Sequence, residues 1–98
     1  WILPLDDPRA RRAFLATRMN GAPQPREHGA PVRLVVPGWY GCAWIKWVTD
    51  VRLVDGDAPV TSQMAEFAAR THQRGEPMAA RDYETPVIDV AATPVRVE

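Results

Sequence analysis

The chain has 98 residues, 46% hydrophobic and 24% charged, and its twelve basic and twelve acidic side chains cancel. That composition suits one small globular domain and excludes a chain disordered throughout. It also excludes a molecule-wide basic field for nucleic acid, so any anion site must be local. A single cysteine, Cys42, excludes an internal disulfide and a CxxC metal site. No apolar run approaches the ~18 residues of a transmembrane helix.

Ten prolines, about double the usual ~5%, predict much extended or looped backbone. The opening "WILPLDDP" and the closing "TPVRVE" read as edges of a piece of a longer protein. Residues 6–21, "DDPRARRAFLATRMNG", predict a helix capped by Asp7, with Pro8 in the first turn and Asn20-Gly21 at the end. Ala10, Ala13, Phe14 and Thr17 would share its inner face. "APQPREHGAP" (22–31) is a loop, because three prolines and a glycine forbid regular structure. "VRLVV" (32–36) is a short buried-type strand ending at Pro37-Gly38. "GWYGCA" is a turn between two glycines.

"WIKWVTDVRLV" (44–54) predicts a two-faced strand, with Ile45, Trp47, Thr49, Val51 and Leu53 on one side. "DGDAP" is a turn, and "TSQMAEFAARTHQ" (61–73) a second helix with Met64, Phe67, Ala68 and Thr71 inward. The remainder is irregular until "VRVE" (95–98) closes as an edge strand. Helix-strand-strand-helix-strand order makes this an α+β chain with long proline-rich loops, which lean on further sequence or a partner chain for stability.

Chemistry concentrates in "HGAPVRLVVPGWYGCAWIKW" (28–47). Arg33 stands in an otherwise apolar strand, where a buried guanidinium needs a carboxylate or a phosphate. Lys46 has the same problem one strand later, and His28 precedes Gly29 in the loop leading to Arg33. If the two strands pair antiparallel across "PGWYG", Arg33 and Lys46 converge on one anion, and turn amides near Gly38 and Gly41 can add donors. Physically the trio is equally open to blander roles: Arg33 salt-bridged to a local acid, Lys46 in solvent, His28 bonded to backbone. Trp39 and Tyr40 could wall a site or simply pack. His72 suits a helix C-terminus, and Cys42 reads as a small packed residue.

"MNGAPQPREHGAPVRLVVPGWYGCAWIKWV" (19–48) resembles the molybdopterin-binding domain of the sulfite oxidase family, and "RDY" (81–83) continues the likeness more weakly. The motifs fall in order: "MNG", a proline-rich loop with "HGAPVR", a valine-rich strand, "PGWYG" and "IKW". The resemblance implies a piece of a mixed α/β cofactor-binding fold over 1–98, lacking an upstream half and a downstream dimerisation domain. It implies that His28, Arg33 and Lys46, with the backbone of Trp44 and Ile45, bind a molybdenum-molybdopterin cofactor and its phosphate. Tyr83 would be the catalytic tyrosine that orients substrate or gates electron transfer, with Arg81 lending charge nearby.

The family's metal-ligating cysteine lies upstream of "MNG", and no cysteine precedes that segment here, so no metal ligand is expected in this chain. Residues 58–76 look like a helical insertion of a bacterial-type branch. For the full-length protein the resemblance implies oxidation of a small oxyanion, sulfite to sulfate, with electrons passed to a c-type cytochrome, and a possible homodimer. Nitrate or sulfoxide on the same scaffold, a binding module that has lost the metal ligand, and a small cofactor-free interaction domain are the rival readings. Compartment, acceptor and substrate stay open.

Overall fold

Asn20 and Gly21 both adopt positive φ, 51° and 79°. A two-residue hairpin loop of type I′ demands such a pair, and Asn-Gly meets the demand at least cost. The dipeptide therefore joins two strands: β2 (Arg18–Met19) pairs antiparallel with β3 (Ala22–Pro23), Met19 opposite Ala22. The Thr17 carbonyl extends the hairpin by accepting from Gln24 N–H at 3.0 Å. The structure, a computed structural model, describes residues 1–89 and Arg96.

The helix predicted over 6–21 does not form. A single 3-10 turn, Ala10–Arg12, stands in its place, and Phe14–Ala16 becomes strand β1. Asp7 still acts as a local cap, its Oδ1 accepting from Arg9 N–H at 2.7 Å. Three arginines in the first turns, Arg9, Arg11 and Arg12, would oppose the positive end of a helix dipole. The apolar residues that follow are better used by a strand partner. That partner is β4 (Arg33–Val35), with Phe14 opposite Val35 and Ala16 opposite Arg33. Phe14, expected inside, is 52% exposed. Non-local pairing has overridden the local helical pattern.

The expected strand 44–54 is also absent as a regular element, although its first residues do run antiparallel to β4. Leu34 N–H donates to the Ile45 carbonyl at 2.8 Å and Val48 N–H to the Val32 carbonyl at 2.9 Å. Two residue steps on one side thus face three on the other. The excess is taken up at Lys46–Trp47, where Trp47 has φ 54°, which is a bulge that breaks the ladder and the face alternation. Trp44 spans the turn, its Nε1 donating to the Val36 carbonyl at 2.9 Å. Beyond Val48 the chain is extended and exposed, Val51 by 76% and Leu53 by 87%.

The second predicted helix appears in shortened form, as α1 (Ser62–Phe67) followed by a 3-10 turn, Ala68–Thr71. Thr61 caps α1 by accepting from Met64 N–H at 3.2 Å. His72, at φ 58°, ends the run. Met64 is buried, as the apolar stripe required. Backbone bonds from Val60 N–H to Met78 O and from Ala80 N–H to Ala58 O close the base of the helical segment. The edge strand predicted at 95–98 lies outside the described residues, apart from Arg96, which is in no strand.

The result is an α+β chain of short elements around a small core. Val36, Trp39, Ala43 and Ala10 are buried together, with Trp1, Leu3, Leu34, Trp44 and Val87 packed against them. Thr85 Oγ1 donates to Asp7 Oδ2 at 3.0 Å and ties the two ends of the core. Burial raises the Asp7 carboxyl, but hydrogen bonds from Arg9 and Thr85 outweigh it and leave the group below its usual range. A depressed native pKa stabilises the fold above the unfolded value of ~3.9 and the benefit disappears as pH falls through the native value. Urea unfolding at pH 6 and pH 3 should therefore show a smaller loss of stability in Asp7→Asn than in the unaltered protein.

Candidate functional site

The site starts from a single 3-10 turn, Arg26–His28, that ends on Gly29 at φ 118°. Its three successive carbonyls are each taken by a side chain from elsewhere. Trp47 Nε1 donates to the Arg26 carbonyl at 2.9 Å, and Lys46 Nζ to the Glu27 carbonyl at 2.7 Å. The His28 carbonyl accepts twice, from Gln24 Nε2 at 2.7 Å and Arg33 Nη1 at 3.1 Å. Gly29 fits between the two cations: a Cβ there would stand 3.1 Å from Arg33 Cβ and 3.2 Å from Lys46 Cα. The bulge at Lys46–Trp47 is what turns both of these side chains toward the loop.

Arg33 and Lys46 thus flank one residue and line one cavity of about 340 Å³, together with Gly41, Cys42, Trp44, Ile45, Trp47 and Gln63. The Arg33 guanidinium lies 5.7 Å from the Trp44 ring centroid, and Lys46 Nζ lies 5.7 Å from that of Trp47, both within cation–π range. Among the described residues, no carboxylate forms an ion pair with either cation; Arg9, Arg52, Arg74 and Arg81 do form such pairs. Carbonyl dipoles fix the two side chains in place without cancelling their charge.

Arg33 Nε is buried and has no hydrogen-bond partner among the described residues. A buried donor on a charged group, left unmatched, loses of order 1–3 kcal/mol or more. An anionic oxygen entering the cavity is the kind of group that would relieve it, and a guanidinium fork suits a phosphate. The donor set therefore fits a phosphate-bearing ligand. No group of three or more His, Cys, Asp or Glu side chains among the described residues could hold a metal ion.

Of the residues singled out from sequence, Arg33, Trp44, Ile45 and Lys46 share the cavity. His28 contributes its carbonyl, while its imidazole is exposed and is not part of the lining. Tyr83 lies outside that cavity. It is half-buried against α1, its hydroxyl donating to the Met64 carbonyl at 3.0 Å and meeting Thr71 Oγ1 at 2.9 Å. Its ring meets Trp1 edge-on, and burial raises its phenol pKa. It borders a second, wider cavity of about 760 Å³ beside Trp1, Leu3, Trp39, Arg81 and Pro86. Arg81 is committed to a surface ion pair with Asp57.

Trp39 is buried in the core and does not line the cation cavity, though it borders the wider one. The Tyr40 hydroxyl donates to Asp89 Oδ1 at 3.2 Å, and His72 Nε2 lies 3.2 Å from that Tyr40 hydroxyl oxygen. Cys42 is half-buried at the edge of the cation cavity, with its thiol pKa raised by burial.

Sequence reasoning missed Gln24, Gly29 and Trp47 as members of the site. Gln24 carried a usable signal, a carboxamide held between two prolines in a loop that has few other internal donors. Gly29 carried another, since a glycine between a candidate histidine and a candidate arginine marks a close approach. Trp47 gave none, because its placement depends on the bulge.

A family model described as oxidoreductase molybdopterin binding domain matches residues 2–62, well over half of the chain. Human mitochondrial sulfite oxidase is 55% identical over 42 residues, which are 43% of this chain and 8% of that protein. The nitrate reductase [NADPH] of Fusarium oxysporum is 45% identical over 43 residues, 44% of this chain and 5% of the relative. The protein-methionine-sulfoxide reductase catalytic subunit MsrP of Xanthomonas campestris is 42% identical over 53 residues, 54% of this chain and 16% of the relative. The matches to these curated relatives span only 5 to 16% of their lengths. No solved structure matches the chain significantly.

Proposed function

This chain belongs to the sulfite oxidase family, through its oxidoreductase molybdopterin binding domain, and from that premise we propose that it supplies the phosphate grip of a molybdenum-cofactor oxidoreductase. The observation that carries the reading is the pair Arg33 and Lys46, uncompensated by carboxylates among the described residues, on one cavity where Arg33 Nε is buried and unmatched. In this reading Arg33 and Lys46 hold the dianionic phosphate of the pterin, His28 helps from the loop, and the backbone of Trp44 and Ile45 lies alongside. When bound, the cofactor supplies two-electron oxygen-atom transfer chemistry.

The chain's own contributions are charge, orientation and exclusion of water. The Trp44 ring lies beside the half-buried Arg33 guanidinium and lowers the local dielectric there, which strengthens its hold on an anion, whereas Lys46 and Trp47 stay exposed. Tyr83 is proposed as the active-site tyrosine on the strength of its "RDY" context; Thr71 and the Met64 carbonyl fix its hydroxyl.

The 98 residues are proposed to be part of a larger mixed α/β domain. Among the described residues, five hydrophobic side chains are buried while nine large ones are well exposed, among them Leu5, Val51, Leu53 and Met78, which is a poor balance for a free-standing domain. The metal-ligating cysteine would come from outside these residues, so this piece alone would be inactive. The substrate proposed for the full-length protein is sulfite, oxidised to sulfate, with a c-type cytochrome as electron acceptor and a homodimer as a possible assembly. Relatives named for nitrate and for methionine sulfoxide make reduction of those groups the second reading.

The test is sulfite-dependent reduction of cytochrome c by the full-length, molybdenum-loaded protein. A sulfite-dependent rate is the expected result. No rate at full molybdenum occupancy would shift the reading to nitrate or sulfoxide. Absence of molybdenum from protein made in a competent host would sink the enzyme reading and favour a binding module.

A further inference from the structure

Helix α1 brings to the cation-lined cavity one side chain that the motif residues do not account for. Gln63 is half-buried and lines the cavity with Arg33, Trp44 and Lys46. It is the first residue beyond the family-matched stretch 2–62, and it sits in the helical segment that reads as an insertion. Its position is fixed: Thr61 caps the turn through Met64 N–H, and Met64 is buried, so the helix cannot roll without losing both.

Its hydrogen bonding is incomplete. Gln63 Nε2 donates only to the Cys42 carbonyl, at 3.4 Å, the outer limit of a useful bond, and among the described residues Oε1 has no partner. A carboxamide carries two donors and an acceptor, and those that Gln63 leaves without a protein partner among the described residues are available to a ligand in the cavity. The stretched bond to a neutral carbonyl can be exchanged, with gain, for a bond to an anionic oxygen. The cavity's other polar side chains are two cations and a thiol whose pKa is raised by burial. Gln63 is thus placed to add a neutral donor to a phosphate that the cations neutralise.

We infer that Gln63 is a further ligand-contacting residue of this cavity, donating Nε2–H to a phosphate oxygen, so that the helical segment 61–73 tunes how tightly a phosphate-bearing pterin is held. The inference rests on the cofactor reading above. The experiment uses the full-length protein, made in a host that synthesises molybdopterin, and measures pterin retained per protein molecule together with the thermal midpoint of the cofactor-free form. The variants are Gln63→Glu and Gln63→Leu, with Arg33→Ala as the reference.

Gln63→Glu places a carboxylate against the phosphate and is expected to cut retention tenfold or more. Gln63→Leu removes one neutral donor and is expected to cut it roughly twofold to tenfold. Neither should move the cofactor-free midpoint by more than a degree or two. Full retention in both glutamine variants, with loss in Arg33→Ala, would overturn the role of Gln63 and leave the cofactor reading standing. Loss of retention matched by a collapse of the cofactor-free midpoint in both would mean that Gln63 only packs. Full retention in all three variants would sink the cofactor reading and this inference with it.

Discussion

Arg33→Ala is expected to leave the full-length protein folded while lowering its pterin affinity about 10- to 150-fold. The range corresponds to roughly 1.5–3 kcal/mol for a lost charged hydrogen bond. Folding should survive because the His28 carbonyl keeps its second donor, Gln24 Nε2, and the loop stays tied. Lys46→Ala should do less. Lys46 is exposed, and an exposed charge contact is worth about 0.2–1 kcal/mol, a factor of five or so at most. Arg33→Lys separates charge from shape: it keeps the cation but removes the Nε donor and the planar face toward Trp44. Its pterin content should fall between those of the unaltered protein and Arg33→Ala. Unchanged pterin content in Arg33→Ala would contradict the assignment.

Gly29→Ala is expected to cost about 2–5 kcal/mol of stability, and to lower pterin content as a consequence. Two penalties add at this position. An L-residue at positive φ costs on the order of 1–2 kcal/mol, and a Cβ wedged against Arg33 and Lys46 adds an overpacking cost of roughly 1–3 kcal/mol. The crowding falls on Lys46 Cα, which is backbone and cannot rotate away. Gly21→Ala is the control. Gly21 also has positive φ, 79°, but nothing lies within 4 Å of its added Cβ. It should therefore show the conformational penalty alone. Chemical denaturation of both variants measures the difference. Equal losses would mean that Gly29 matters only for its φ and not for the approach of the two cations.

Much of the site could be read from the sequence, because its chemistry is local. A guanidinium in an apolar strand and a lysine across a glycine-flanked turn mark the two cations in the sequence, although the bulge at Lys46–Trp47 sets how Lys46 meets the loop. The fold was less legible. Residues 6–21 carry a helical spacing of apolar residues, yet the Asn20-Gly21 pair is also the strongest short hairpin signal. Choosing between the two needs knowledge that β4 lacks another partner on that edge, which is non-local information. The bulge at Lys46–Trp47 is invisible to a period-two reading, since one added residue reverses every later side chain. The alternation over residues 44–54 therefore predicts faces that the structure does not keep. The position of Tyr83 depends on how the 61–73 segment folds back, and "RDY" alone could not supply its contacts with Met64 and Thr71.

The three carbonyls of the Arg26–His28 turn have a kinetic consequence. Two of them, those of Glu27 and His28, anchor the cations by dipole alone, so the positive potential of the pair remains directed outward. At ~0.1 M salt that potential reaches about 10 Å, far enough to steer an approaching dianion. Retention depends on different physics, the short-range fit of a half-buried guanidinium that salt screens poorly. Ionic strength should therefore govern how fast a phosphate group is captured far more than how long it stays.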